Sequence, residues 1–166
     1  MKRSHVSMTP RASHLATLGL VALILAAGSR PTPSLYAQGG SRITGAAISK
    51  VGRDTRKLTA SAEAPAGSTQ ASGTMQFIHN SPAGLSRFRG TVTCLSVNGA
   101  TVQISGRIEK GETATGGLLD GKTYAFTIVT AGGQSFSLPN VGDNVGPCSG
   151  GRGEMVTVTE EGFRIG

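Results

Sequence analysis

The chain has 166 residues, enough for one domain of ordinary size, and a formal charge of +7 from 16 Lys and Arg against 9 Asp and Glu. Lys2, Arg3, Arg11 and Arg30 fall in the first 37 residues, which hold no acid, so residues 38–166 keep 12 bases and 9 acids, a net of +3. Those bases are spread out, and with no Trp and five Phe there is no aromatic platform between them, so nucleic acid is not an expected partner.

Residues 1–37 have the layout of a secretory signal peptide. A basic start is followed by LATLGLVALILAA at 15–27, an uncharged apolar run, and then by a polar stretch with Pro31 and Pro33. Thirteen helical residues rise about 20 Å, short of the roughly 30 Å of a hydrocarbon core. The expectation is a signal-peptide helix removed after Ala37, or near Ala27–Gly28, leaving one domain over 38–166 with no stable membrane span. No Cys lies near either point, which argues against a lipid anchor, and no consecutive arginines precede the run, which favours the general export route.

Downstream, short alternating runs lie between glycines, the patterning of strands. Residues 41–48 read as a weak first strand. Residues 56–62 alternate Leu58, Ala60 and Ala62; 64–73 are turn-rich and read as a loop; 74–79 alternate Met75, Phe77 and His79. The clearest element is a hairpin over about 88–108. Its expected centre is Asn98–Gly99, a pair favoured in two-residue type I′ turns. That register sets Val97 against Ala100, Leu95 against Val102 and Thr93 against Ile104, with Cys94 on the other face opposite Gln103.

Residues 109–120 read as a long polar loop. Tyr124, Phe126 and Ile128 alternate in the next strand, Gly132–Gly133 turns the chain, and Phe136 and Leu138 follow. Residues 139–153 read as irregular. Val156 and Val158 share a face, Glu161–Gly162 turns, and Phe163 and Ile165 close the chain. The expected fold is all-β, about eight antiparallel strands in a small sandwich or barrel.

Two cysteines, Cys94 and Cys148, remain in an exported chain, and the expectation is a disulfide between them. It closes a loop of about 54 residues and contributes about 4 kcal/mol at most on chain-entropy grounds. By the hairpin register it ties the segment around Cys148 across the outside of the hairpin. The rival, free thiols or half a metal site, lacks nearby His ligands.

No motif assembles chemistry. GGLLDGKT at 116–123 satisfies the phosphate-loop pattern, but that pattern needs a helix after it, and a strand is expected there. His79 is the one histidine beyond residue 37 and has no nucleophile or orienting acid beside it in sequence, so it reads as a residue at a loop edge. The acids Glu109, Glu112, Asp120, Asp143, Glu154, Glu160 and Glu161 fall mostly where turns are expected. A carboxylate pair for glycoside hydrolysis would lack an aromatic cleft. Gly142–Asp143–Asn144 lacks the repeated acids of a calcium site. No catalytic residue, cofactor or metal ligand is assigned.

GTVTCLSVNGATVQISG at 90–106 resembles the core motif of small secreted bacterial proteins of unknown function that include post-COAP-1-like domains. GTMQF at 73–77, the run from Phe126 to Ser137 with a late Cys148, and a closing strand after Gly153 extend the likeness over most of 40–159. Where those proteins often carry an Asp-Asn-Gly-rich segment, this chain has TAGG at 130–133. The resemblance implies a β fold and an exported location, and brings no activity.

Three functions compete. The first is a non-catalytic extracytoplasmic module that binds an extracellular polymer, a protein or a small ligand. The second is a secreted hydrolase whose residues meet only in the fold; His79 bonded to a carboxylate beside a Ser or Thr hydroxyl in a cleft would count against the first reading. The third is a lipocalin-like barrel around an apolar ligand, with Ala60, Ala62 and Ala100 leaving room inside.

Overall fold

The computed structural model describes residues 39–166; the export signal expected over 1–37 lies outside them. Among the described residues the chain is all β and antiparallel. Its strands are β1 (Ser41–Val51), β2 (Asp54–Ala64), β3 (Ser72–Ser81), β4 (Gly84–Asn98), β5 (Thr101–Glu112), β6 (Thr123–Val129), β7 (Ser135–Leu138), β8 (Asn140–Gly142), β9 (Arg152–Thr157) and β10 (Glu160–Ile165). They form one curled sheet in the order β10-β1-β2-β3-β4-β5-β6-β7-β9, with β8 also on β6. The expected all-β antiparallel class is right; of the sandwich or barrel expected, the sheet forms a half-barrel, with ten strands rather than about eight. β7 and β8 are two halves of one path along β6, broken at Pro139, which has no N–H for a ladder.

One apolar cluster fills the curl, from Ile43 on β1 to Phe163 on β10. Its inner face is built in rows across neighbouring strands: Ala47, Leu58, Phe77, Phe88 and Gly111 in one, Gly45, Ala60, Met75, Gly90 and Ile108 in the next. Large side chains face small ones. Phe88 stands opposite Gly111, where a Cβ would lie 2.4 Å from that of Phe88. Phe77, Phe88, Tyr124 and Phe126 pack with ring centroids 5.4–6.2 Å apart. A chain with few aromatic residues thus gathers four of them at one level and lets glycines make the space.

Two register shifts bend the β4–β5 pair, at Arg89/Gly90 and at Val92/Cys94, and bulges of this kind raise local twist and help a sheet to curl. The second leaves Thr93 unpaired and reverses the alternation. Val92 faces inward, and so do Leu95 and Val97, while Cys94 faces out.

The hairpin turn lies one residue later than expected, which moves every cross-strand partner by two. Asn98 pairs with Thr101, Val97 with Val102 and Leu95 with Ile104, so the turn residues are Gly99 and Ala100. Gly99 has φ +57 and Ala100 does not take a positive φ, the requirement of a type II′ turn and not of type I′. Glycine satisfies either turn; sliding the pairing by two keeps Val102 opposite an apolar partner, sets Ile104 opposite Leu95 instead of Thr93, and leaves Thr93 exposed instead of buried. Cys94 consequently lies opposite Ser105, not Gln103.

Cys94 and Cys148 form a disulfide, with Cα atoms 5.5 Å apart. It lies on the outer face, as the alternation implied. The segment around it covers β5 and β6 from outside: the Cys148 N–H donates to Ser105 Oγ (2.8 Å) and the Gly151 N–H to Thr127 Oγ1 (3.1 Å). Ser105 is buried by this cover, and its hydroxyl has a partner.

Gln134 joins the two sides of the curl with its side chain and with its carbonyl, which accepts from the Val158 N–H (2.8 Å). The Gln134 amide accepts from the Phe163 N–H (2.6 Å) and donates to the Phe163 carbonyl (2.9 Å), as a neighbouring strand would. Glu161 and Gly162, expected as a turn, lie within β10, where Glu161 takes φ +63.

Candidate functional site

Alternation along β1 to β4 brings a polar row to the inner face at one end of the curl. Ser49 pairs with Arg56, Arg56 with His79, and His79 with Ser86, one residue per strand, directly beside the Leu58–Phe77–Phe88 row. Asp54, at the start of β2, joins it: Arg56 Nη2 donates to Asp54 Oδ2 (2.8 Å), and His79 Nε2 stands 3.7 Å from the same oxygen. Three buried side-chain atoms lack a hydrogen-bond partner among the described residues, Ser49 Oγ, Arg56 Nε and His79 Nε2, and all three belong to this row. Buried polar groups are almost always satisfied, so their concentration in one layer marks it as different from the rest of the interior.

Next to the row is an open cavity of about 290 Å³. Phe77, Phe88, Leu119, Leu138 and Val141 give it apolar walls, and His79, Ser86 and Thr113 give it one polar side. β3 and β4 supply the floor. The loop after β5 brings Leu119, held by its N–H to the Gly111 carbonyl (3.0 Å), and the break at Pro139 leaves Leu138 and Val141 on the opposite wall. Concave, mostly apolar and with a few polar groups on one side, it has the character of a small-molecule site at the mouth of a small barrel.

His79 is therefore not a loop-edge residue. It lies within β3, faces inward and contributes to the cavity wall. Its sequence carried the signal, since Met75, Phe77 and His79 alternate on one face. Arg56 carried the same signal, two residues before Leu58. The parity with which β1, β2 and β3 align was the missing piece, and it turns scattered residues into a row.

The geometry is not a hydrolytic relay. A serine–histidine–acid arrangement needs the acid bonded to the histidine and the histidine bonded to the hydroxyl. Here the close partner of Asp54 is Arg56, the His79–Asp54 separation exceeds a hydrogen bond, and Ser86 Oγ accepts from the Ala114 N–H (2.9 Å).

The other sequence candidates stay apart. Residues 116–123 form a loop leading into β6, not a helix; Thr123 Oγ1 donates to the Gly142 carbonyl and Lys122 pairs with Asp143. Glu112 pairs with Arg87, Asp120 with Lys110 and Glu160 with Lys50. The Gly111 N–H and then Lys110 hold the Asp120 carboxyl below the usual carboxylate range. Among the described residues no three His, Cys, Asp or Glu gather as a metal site, and no helix is long and apolar enough to cross a membrane.

No protein-family model, no curated protein and no solved structure matches the chain.

Proposed function

We propose that this protein is an exported, non-catalytic β module that binds one small, largely apolar molecule at the open end of its curled sheet. The observation that carries this reading is the cavity of about 290 Å³ beside the Ser49–Arg56–His79–Ser86 row. Ligand sites usually span about 300–1,000 Å³, so this one suits a molecule of about ten non-hydrogen atoms. Phe77, Phe88, Leu138 and Val141 take its apolar body, and His79 or Ser86 meets a single polar group. The alanines Ala60, Ala62 and Ala100, which a lipocalin-like barrel would place around its ligand, do not line this cavity.

Export is supported by the sequence of residues 1–37 and by the disulfide, a bond that persists in oxidising compartments. The likeness of residues 90–106 to the post-COAP-1-like proteins agrees with it. Mass spectrometry of the protein recovered outside the cytoplasm is expected to show a chain beginning at Gln38 or near Gly28.

Titration with indole, followed by backbone amide resonances, tests the binding reading. Saturable shifts at Phe77, His79, Leu119 and Leu138, with a Kd of about 1 mM or tighter, are expected for a probe of this size. Leu138→Trp, which fills the cavity, should abolish them while leaving the dispersed β spectrum intact. Equal indole shifts in that variant would overturn the site.

A further inference from the structure

The outer face of the sheet carries a local conflict. Arg89 on β4 lies directly opposite Lys110 on β5, the one place in the described strand pairings where two residues charged alike at neutral pH face each other. Like charges opposite each other on a sheet are destabilising. Opposite charges elsewhere are matched: Arg42 faces Glu63, and Arg87 faces Glu112 and bonds to it at 2.9 Å. Lys110 gains partial relief from Asp120 at 3.0 Å, but Arg89 has no carboxylate within ion-pair distance among the described residues.

The conflict sits in a groove. Gln76, Arg89 and Lys110 stand side by side across β3, β4 and β5, with Arg87 and its partner Glu112 in the next row, and these five line a groove of about 300 Å³. Leu118, 70% exposed, forms its lip. Glu112 already holds the Arg87 fork, so the donors are the Arg89 fork, the Lys110 point charge and the neutral Gln76 amide, a set suited to an oxygen acid with several acceptors.

We infer that this groove is a binding site for a phosphate or sulfate group. The anion lies between Arg89 and Lys110, relieves their repulsion and accepts from the Gln76 amide, while Leu118 covers the carbon to which the anion is attached. Sequences that break a local rule do so most often where function requires it, and here the repulsion is what the ligand removes. The site lies on the outer face, whereas the aromatic row faces inward, and it does not depend on the cavity at the mouth.

The test is titration of the full chain with inorganic phosphate and, separately, inorganic sulfate at constant ionic strength, with acetate as control, read by amide resonances and Tm. Saturable shifts at Gln76, Arg89 and Lys110 are expected from one or both dianions, whichever binds more tightly naming the group, and not from acetate. R89Q should weaken binding about tenfold or more, as loss of a charge-assisted bond implies. R89Q should also match or exceed the Tm of the parent in the absence of anion, because it removes the repulsion. K110Q, which also gives up the Lys110–Asp120 pair, provides the binding readout if R89Q does not fold. No saturable shift, equal shifts from acetate, or anion affinity unchanged in both variants would overturn the site.

Discussion

Tyr124 shows how a single side chain ties the curl together. It is fully buried and its hydroxyl donates to the Thr91 carbonyl at 2.9 Å. Tyr124→Phe should lower stability by about 1 kcal/mol in urea unfolding, the usual net worth of such a bond. Burial also pushes the phenol well above its ordinary value near 10. Above about pH 10 the unfolded chain ionises this group while the folded chain keeps its proton, so the stabilisation is whole below that pH and declines as pH rises. Stability measured between pH 8 and 11 should fall at the alkaline end, and less steeply in Tyr124→Phe. Beside it, Gly106 has no room for a side chain: a Cβ would stand 1.8 Å from the Thr91 oxygen and 2.8 Å from the Tyr124 hydroxyl. Gly106→Ala should cost about 2 kcal/mol or more, since backbone must shift to admit it. Tyr124 was legible in sequence as one of an alternating apolar set. The need for glycine at 106 was not, because it arises from β4 and β6 approaching from either side.

At the scale of elements, the β4–β5 hairpin separates what alternation decides from what a turn decides. The face that Leu95, Val97, Val102 and Ile104 share was readable from the pattern. The register was not, because Asn-Gly and Gly-Ala both offer a glycine suited to a two-residue turn; the observed one sets Ile104 against Leu95 instead of Thr93. Gly99→Ala should therefore cost about 1 kcal/mol or more, a β-carbon being disfavoured at φ +57, whereas Asn98→Thr, at the last strand position, should be neutral. Thermal unfolding of the two variants distinguishes this turn from one centred on Asn98–Gly99. Gln134 is the second such case. No local pattern identifies a glutamine as the link to β10, since its partner Phe163 is 29 residues away. Gln134→Ala leaves both backbone groups of Phe163 without that partner and should cost about 2 kcal/mol. It should also raise the hydrogen-exchange rate of the Phe163 amide selectively.

On the scale of the whole molecule, the sheet curls because bulges bend β4–β5 and because large and small inner residues alternate between rows; Gln134 fastens β10, and the disulfide holds the loop around Cys148 over the outer face. The all-β class, the disulfide and its placement on the outer face were all readable from spacing and alternation. The polar row was not, although Arg56, His79 and Ser86 each sit at the parity that faces inward. It exists only once four strands align, and strands so rich in Thr, Ser and Gly give weak signals of register. Replacing both Cys94 and Cys148 with Ala should lower stability by about 3–4 kcal/mol while leaving the strand content unchanged, as circular dichroism and urea titration would show. The mouth cavity should be more sensitive to this change than the core, because Leu138 and Val141 lie on the segment that leads into the tethered loop.

The most direct test is where a small aromatic probe rests. Intermolecular NOEs from indole bound to the full chain should reach the Leu138 and Val141 methyls and the Phe77 ring. Contacts confined to the outer face around Leu118, or none at the mouth, would contradict a ligand site at the open end of the curl.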